Sequence, residues 1–172
     1  MRWLLSLLLY SGIVFSTPTT LSQITGSPFQ DPMETMRIVE KTQSGIISNF
    51  AIDIQENDVR YLFSLINPTT NTITQLEYRA LDGQLIKQNV SLYTPNQGSK
   101  IAAIEFIFKN NLSFSELVEL AIKNNSVHLL RAELDHDLGI SYLELKLIDN
   151  NGQYRLAFDV EKLRPLPLLK WY

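Results

Sequence analysis

The densest group of side chains that could do chemistry in this sequence lies between residues 133 and 137. Glu133, Asp135, His136 and Asp137 combine carboxylate oxygens with an imidazole, which are ligand types that divalent metal ions take in proteins. Successive side chains of a strand or tight turn point apart, so these four residues do not readily converge on one ion. We therefore interpret the segment as a solvated hairpin turn and predict no metal site.

The remaining residue types exclude most other catalytic chemistry. The 172 residues include no cysteine, which rules out disulfides, thiolate metal sites and a cysteine nucleophile. The other histidine, His128, begins an apolar segment, where a half-buried strand residue is expected. No serine has a readable His–Asp arrangement, the glycines form no phosphate-binding loop, and Glu56 and Asp58 fall in a predicted turn. We predict no catalytic residue, no cofactor and no enzymatic activity.

The composition indicates a globular protein without affinity for nucleic acid. Hydrophobic residues make up 45% of the chain and charged residues 19%, and the formal net charge is −3. These values exclude a disordered acidic tail and a strongly basic nucleic-acid binder.

The amino terminus has the pattern of a secretory signal peptide over residues 1–16. Arg2 precedes an apolar run from Leu4 to Phe15, which is shorter than the roughly 20 residues that span a bilayer. An uncleaved membrane anchor is the alternative reading. Residues 17–30 are rich in Thr, Ser and Pro and are predicted to form a linker. The mature chain is thus expected in the periplasm or outside the cell, with no membrane span after cleavage.

The first half of the chain, residues 31–95, reads as one helix followed by antiparallel strands. Asp31-Pro32 is a typical helix start, and Gly45 marks the helix end. Alternating apolar residues then predict strands, and Asp82-Gly83 predicts a tight hairpin. The predicted strands are Ile46–Ile54, Val59–Ile66, Ile73–Ala80 and Leu85–Tyr93.

The second half, residues 99–172, repeats this order. Lys100–Phe108 fits both a strand and a helix, and its alternation favours a strand. Ser113 and Glu116 have the spacing of a capping box before a helix over Ser115–Asn124. A turn is predicted at residues 135–139. The predicted strands are Val127–Leu134, Ile140–Ile148 and Gln153–Val160.

The recurrence of this order after about 80 residues predicts an internal duplication. We expect an α+β fold of two tandem repeats, each a helix packed on an antiparallel β-meander. The helices should pack on one side of the sheet and bury an apolar stripe. Its expected members are Met36, Val39, Leu117, Ala121 and Ile122.

The second half resembles the PepSY domain family. The family pattern has a helix with a central Ala, then strands containing a Tyr, a turn with Gly, and a strand ending in Asp. Ala121, Tyr142, Gly152 and Asp159 fill those places in this chain. Leu163 stands where the family has a further Gly. The first half is similar and keeps its Gly, at Gly83, but has Arg79 where the Asp would be.

This resemblance implies a non-catalytic binding module of secreted or envelope proteins, with peptidase-inhibitory or regulatory function. It implies a protein partner, either a peptidase or an envelope protein. Tandem helix-plus-sheet units also look like secreted inhibitors of β-lactamase. The alternative function is a carrier of a small ligand or envelope component, with a pocket between the helix and sheet layers.

The carboxy terminus combines two prolines with a strongly apolar tail. Pro165 and Pro167 prevent a central strand or helix there. The tail is therefore expected either to cover its own half as an edge segment or to bind a partner. If the tail binds a partner, Trp171 and Tyr172 are the predicted partner-binding residues, because each combines a large apolar area with a polar group.

Truncation after Lys162 separates these two readings. We expect the shortened protein to melt several degrees lower, because the tail covers apolar surface of its own half. Unchanged melting together with lost partner capture would instead assign the tail to a binding surface. Thermal unfolding and partner capture are measured on the same preparations, and no change in either contradicts both readings.

Overall fold

A computed structural model describes residues 20–26, 28–55, 58–93, 98–123 and 127–167. The predicted signal peptide and the aromatic pair Trp171 and Tyr172 lie outside these residues. Within them, the helices are α1 (Thr20–Thr25), α2 (Pro32–Thr42), α3 (Gly98–Lys109) and α4 (Phe114–Ile122). The strands are β1 (Ile46–Gln55), β2 (Asp58–Asn67), β3 (Thr72–Arg79), β4 (Leu85–Leu92), β5 (His128–Asp137), β6 (Ile140–Asp149), β7 (Gly152–Asp159) and β8 (Arg164–Leu166).

All of these strands form one antiparallel sheet in the order β4-β3-β2-β1-β5-β6-β7-β8. The α+β fold class predicted from the sequence is confirmed. The two halves of the sheet meet at β1 and β5, which pair over three positions only. These pairs are Asn49–Glu133, Phe50–Ala132 and Ala51–Arg131.

Helices α2 and α4 begin where their sequences predict. The Asp31 carboxylate accepts the N–H of Met33 at 3.0 Å, and the Ser113 hydroxyl accepts the N–H of Glu116 at 3.3 Å. Each cap satisfies a backbone donor that the first helical turn leaves free. Glu40 of α2 also accepts the N–H of Ser115 at 3.0 Å, which ties the two helices together.

The helices bury the predicted apolar stripe. Met36, Val39, Leu117 and Ala121 are buried and Ile122 is half-buried, in one cluster with the apolar side chains of the strands. Aromatic rings lie at the centre of this cluster. Phe50 packs against Phe63 with ring centroids 5.2 Å apart.

Residues 100–108 form helix α3, so the predicted strand is wrong. The buried residues Ala103, Ile104 and Ile107 are spaced one helical turn apart, while Ala102 and Phe108 are exposed. The segment is apolar on nearly all sides, so its alternation carried no information about which face is buried.

Two further segments differ from expectation. The segment predicted as a linker, residues 17–30, contains helix α1, and the Gln30 N–H donates to the Ala80 carbonyl oxygen at 2.9 Å. The predicted turn at residues 135–139 is shorter, because β5 continues through Asp137. Leu138 and Gly139 alone form the turn, with φ of 50° and 76°. Two-residue hairpin turns of type I′ require a positive φ at both central residues.

Equivalent features of the two halves are 82 residues apart. This spacing separates the caps Asp31 and Ser113, and also the first residues of β1 and β5. The third residue of β1 and of β5 is a bulge in each strand. The pairs Phe50–Ala132 and Arg37–Glu119 each join two positions related by the same spacing.

Leu163 has a φ of 50°, in the left-handed region that favours glycine. Gly83, which lies at the matching turn of the first half, has a φ of 67°. Leu163 therefore holds a branched side chain in the kind of left-handed conformation that glycine adopts at Gly83.

Leu163→Gly is expected to raise the free energy of unfolding by up to about 1 kcal/mol. The left-handed conformation destabilises a folded non-glycine residue by about 1–2 kcal/mol. Glycine removes this strain, but its greater conformational freedom in the unfolded chain offsets about half of the gain in stability. The reciprocal change, Gly83→Leu, should lower the same free energy. Urea unfolding measures both variants, and a less stable Leu163→Gly protein would contradict this explanation.

Candidate functional site

A cleft of about 520 Å³ opens between the helices and the buried face of the sheet. It lies where α2 begins and α4 ends, and α1 closes one side. Most of its lining is apolar. The apolar side chains that define it are Ile24, Phe29, Met33, Ile52, Ile122 and Leu129.

The cleft exists because β1 and β5 part. Their pairing ends at Ala51–Arg131, so Ile52 and Leu129 lie beyond the last paired residues. Core side chains of a continuous sheet would fill this space at the density of a protein interior. Here the strands leave a gap, and the helix ends do not close it.

Two acidic and two basic side chains line the cleft, and each of the acidic ones has a partner. Asp31 caps α2, and Glu119 pairs with Arg37 of α2 at 2.9 Å. Lys123 and His128 also line the cleft. Within the described ranges, the side chains of these two residues have no hydrogen-bond or ion-pair partner.

Tyr61 forms part of the cleft wall and fastens the segment that precedes α2. Its hydroxyl donates to the Gln30 carbonyl oxygen at 2.6 Å. Burial, with a smaller contribution from the Asp31 charge, raises the pKa of Tyr61 to about 12. The phenol therefore remains protonated at neutral pH and acts as a hydrogen-bond donor.

The other face of the sheet carries polar side chains. The strand register aligns one residue from each of seven strands into what we call the central row, which runs across both halves. Its members, from β4 to β7, are Lys87, Glu77, Leu62, Ala51, Arg131, Lys146 and Arg155. Ala51 is the small residue at the midpoint of this row.

Shallow grooves follow the central row on either side of Ala51, which lines both. Ion pairs hold the charged side chains of the face in place, as between Arg60 and Glu77 and between Arg155 and Glu144. The side-chain oxygen of Asn49 is buried beside Ala51 and has no hydrogen-bond partner in the described part of the chain. Such an atom is rare in folded proteins.

The acidic residues around His136 do not converge. His136 Nδ1 is 3.0 Å from the Ser141 hydroxyl, and the Tyr142 hydroxyl donates to Asp135 at 3.4 Å. Among the described residues, no group of three or more His, Cys, Asp and Glu residues is placed to hold a metal ion. His128 is half-buried at the start of β5, as predicted. The predicted partner-binding residues Trp171 and Tyr172 lie outside the described residues, so their role stays a prediction.

The sequence suggested a pocket between the helix and sheet layers only as the carrier alternative, and it named no lining residues for that pocket. Lys123 and His128 are far from Asp31 and Tyr61 in sequence, and the tertiary fold brings all four to one cleft. One signal was present in Phe29, a large apolar residue within a segment otherwise read as a polar linker.

No known protein family and no curated protein matches this chain. The fold is similar to that of a solved structure described as a "putative lipoprotein" from Clostridium difficile 630. The two chains are 12% identical with a TM-score of 0.42, and the similarity covers 76% of this chain and 86% of the other. The resemblance to the PepSY family therefore stays a prediction. Of the helices that the structure describes, none has the length and apolar character needed to cross a membrane.

Tyr61→Phe is expected to lower the free energy of unfolding at pH 7 by about 1 kcal/mol, because the Gln30 carbonyl oxygen loses its donor. In the wild type the unfolded phenol ionises near pH 10 and the folded phenol near pH 12. Stability from Tyr61 is therefore complete below about pH 10 and lost as the pH rises towards 12. The variant should lose less stability over that interval.

Urea unfolding at pH 7, 10 and 11 tests this expectation. Tyr154→Phe is the matched control, because Tyr154 is exposed on β7 and should change neither the stability nor its pH dependence. Equal pH dependence in the wild type and Tyr61→Phe would contradict the assigned role.

Proposed function

We propose that this protein is a secreted or periplasmic, non-catalytic module that binds a protein partner through the polar face of its sheet. The observation that carries the proposal is the central row, which runs across seven strands and both halves without interruption. A face of this extent offers the 20 or more residues that a specific protein interface uses on each side.

The chemistry of the face supports binding rather than catalysis. Its charged residues are spread along the strands, and several of them pair with one another, as Arg60 does with Glu77 and Arg155 does with Glu144. Catalytic groups instead converge in a cleft and have strongly shifted pKa values. Small residues such as Ala51 and Ala157 leave room for a partner's side chains.

The secreted location rests on the amino-terminal pattern of Arg2 followed by an apolar run that ends at Phe15. Location outside the cytoplasm is compatible with a chain that has no cysteine. Peptidase inhibition or regulation is the finer form of the proposal, and its support is the resemblance of both halves to the PepSY pattern.

Internal duplication is part of the same proposal. The spacing of 82 residues relates the helix caps, the first strands and their bulges, and it also relates the partners in the Phe50–Ala132 pair. Two copies of a helix-plus-meander unit joined through their first strands would produce this pattern. The duplication doubles the width of the sheet and therefore of the binding face.

Ala51→Tyr tests the binding face. We expect partner capture from an envelope extract to fall at least about tenfold, because a bulky ring at the midpoint of the central row keeps an opposing surface away. The free energy of unfolding should change by less than about 1 kcal/mol, since Ala51 is only half-buried and tyrosine favours strands.

Leu138→Tyr is the matched control, because it introduces the same side chain into the exposed β5–β6 turn, away from the face. Its capture should equal that of the wild type. Undiminished capture by a folded Ala51→Tyr protein would rule out the polar face as the site. Inhibition of any captured peptidase, measured with both variants, tests the finer proposal.

A carrier of a small ligand is the second candidate function, and one observation favours it. The cleft between the helices and the sheet is apolar, open to solvent and within the size range of small-molecule sites. It lies against the opposite face of the sheet from the central row, so the two functions can be tested separately.

A further inference from the structure

We propose that the cleft binds an amphipathic carboxylate, an unbranched apolar chain whose charged head lies between Lys123 and His128. The proposal names the ligand class of the cleft and rests on the carrier function, the second candidate above. It involves no chemical step, only binding.

The lining determines the chemistry of the ligand's body. Ile24, Met33, Ile52 and Leu129 present apolar surface to a space of about 520 Å³. Water in such a space has few hydrogen-bond partners, so an apolar group that displaces it is stabilised. The cleft is open at its rim, which suits a molecule with one end in solvent.

The charges at the rim determine the chemistry of the ligand's head. The Asp31 carboxylate is occupied by the N–H of Met33, and the Glu119 carboxylate is occupied by Arg37. The Tyr61 hydroxyl is committed to the Gln30 carbonyl oxygen. Lys123 and His128 are the rim groups whose side chains the described residues leave without partners. An anion therefore finds donors at the rim that no other described side chain engages.

A carboxylate fits these donors better than a neutral polar head. The Lys123 amino group supplies N–H donors, and His128 supplies a ring nitrogen. Lys123 is exposed and His128 is half-buried, so an anion bound there keeps part of its hydration. This avoids the large cost of burying a charge.

Isothermal titration of the purified protein with three ten-carbon probes tests the proposal. Decanoate, decanol and decylammonium share one chain and differ in head charge. We expect decanoate to bind at least about threefold more tightly than decanol, and decylammonium to bind most weakly. Extending the acid from eight to ten carbons should raise affinity by about fourfold per buried CH₂.

Substitutions locate the site. Lys123→Ala should weaken decanoate binding by about three- to fivefold and leave decanol binding unchanged. Lys87→Ala is the matched control, because Lys87 is an exposed lysine of β4 on the other face of the sheet. Ile122→Trp should abolish binding of all three probes, because the larger side chain fills the cleft. If the melting temperature of Ile122→Trp shows that this variant is unfolded, Met33→Trp replaces it in the same test.

The outcomes separate the ligand class from the carrier function. Equal affinity for decanoate and decanol would refute the proposed carboxylate ligand and leave a carrier of neutral apolar molecules. An equal loss of decanoate affinity in Lys123→Ala and Lys87→Ala would have the same consequence. Absence of binding by all three probes would overturn both. Ala51→Tyr should bind decanoate normally, since Ala51 is on the other face of the sheet. Lost decanoate binding in that folded variant would also contradict the proposal.

Discussion

Three pairs of residues hold the two halves of this sheet together, and the rest of the molecule depends on them. Asn49–Glu133, Phe50–Ala132 and Ala51–Arg131 are the whole of the β1–β5 junction. A longer junction would close the gap that becomes the cleft. A weaker one would separate the two meanders and divide the central row. Contacts between α2 and α4, through Arg37–Glu119 and Glu40–Ser115, reinforce the same junction from the helix side.

The junction gives the protein two surfaces of different character. On one face of the sheet, helices cover the strands except where β1 and β5 part, and the uncovered space is apolar. On the other face, paired charges and small residues form a broad and mostly hydrated surface. The two proposed binding functions divide between these surfaces, with a small amphipathic molecule proposed for one side and a protein partner for the other.

Local patterns were predictable from the sequence, whereas the site was not. Helix caps at Asp31 and Ser113 follow from the chemistry of one side chain and the next few residues, and strand alternation follows from one buried face. Helix α3 was predicted as a strand because residues 100–108 include only two charged residues, Lys100 and Glu105, and so have too few polar positions to distinguish a helical from a strand period. The cleft depends on where a strand pairing ends between residues about 80 positions apart, which no local pattern encodes. Local patterns predicted the cap at Asp31, the apolar stripe that includes Ile122 and the half-buried position of His128, but not that these residues line one cleft.

The Phe50–Ala132 pair joins a large side chain to a small one at the centre of the sheet. During synthesis the first half emerges before the second, and β1 is then a bare edge that could pair with the same strand of another nascent chain. Such a pairing in this register would set two phenylalanines opposite each other, where one phenylalanine and one alanine now fill the space. The difference in size between Phe50 and Ala132 therefore favours pairing of β1 with β5 of the same chain over pairing of β1 strands from two nascent chains.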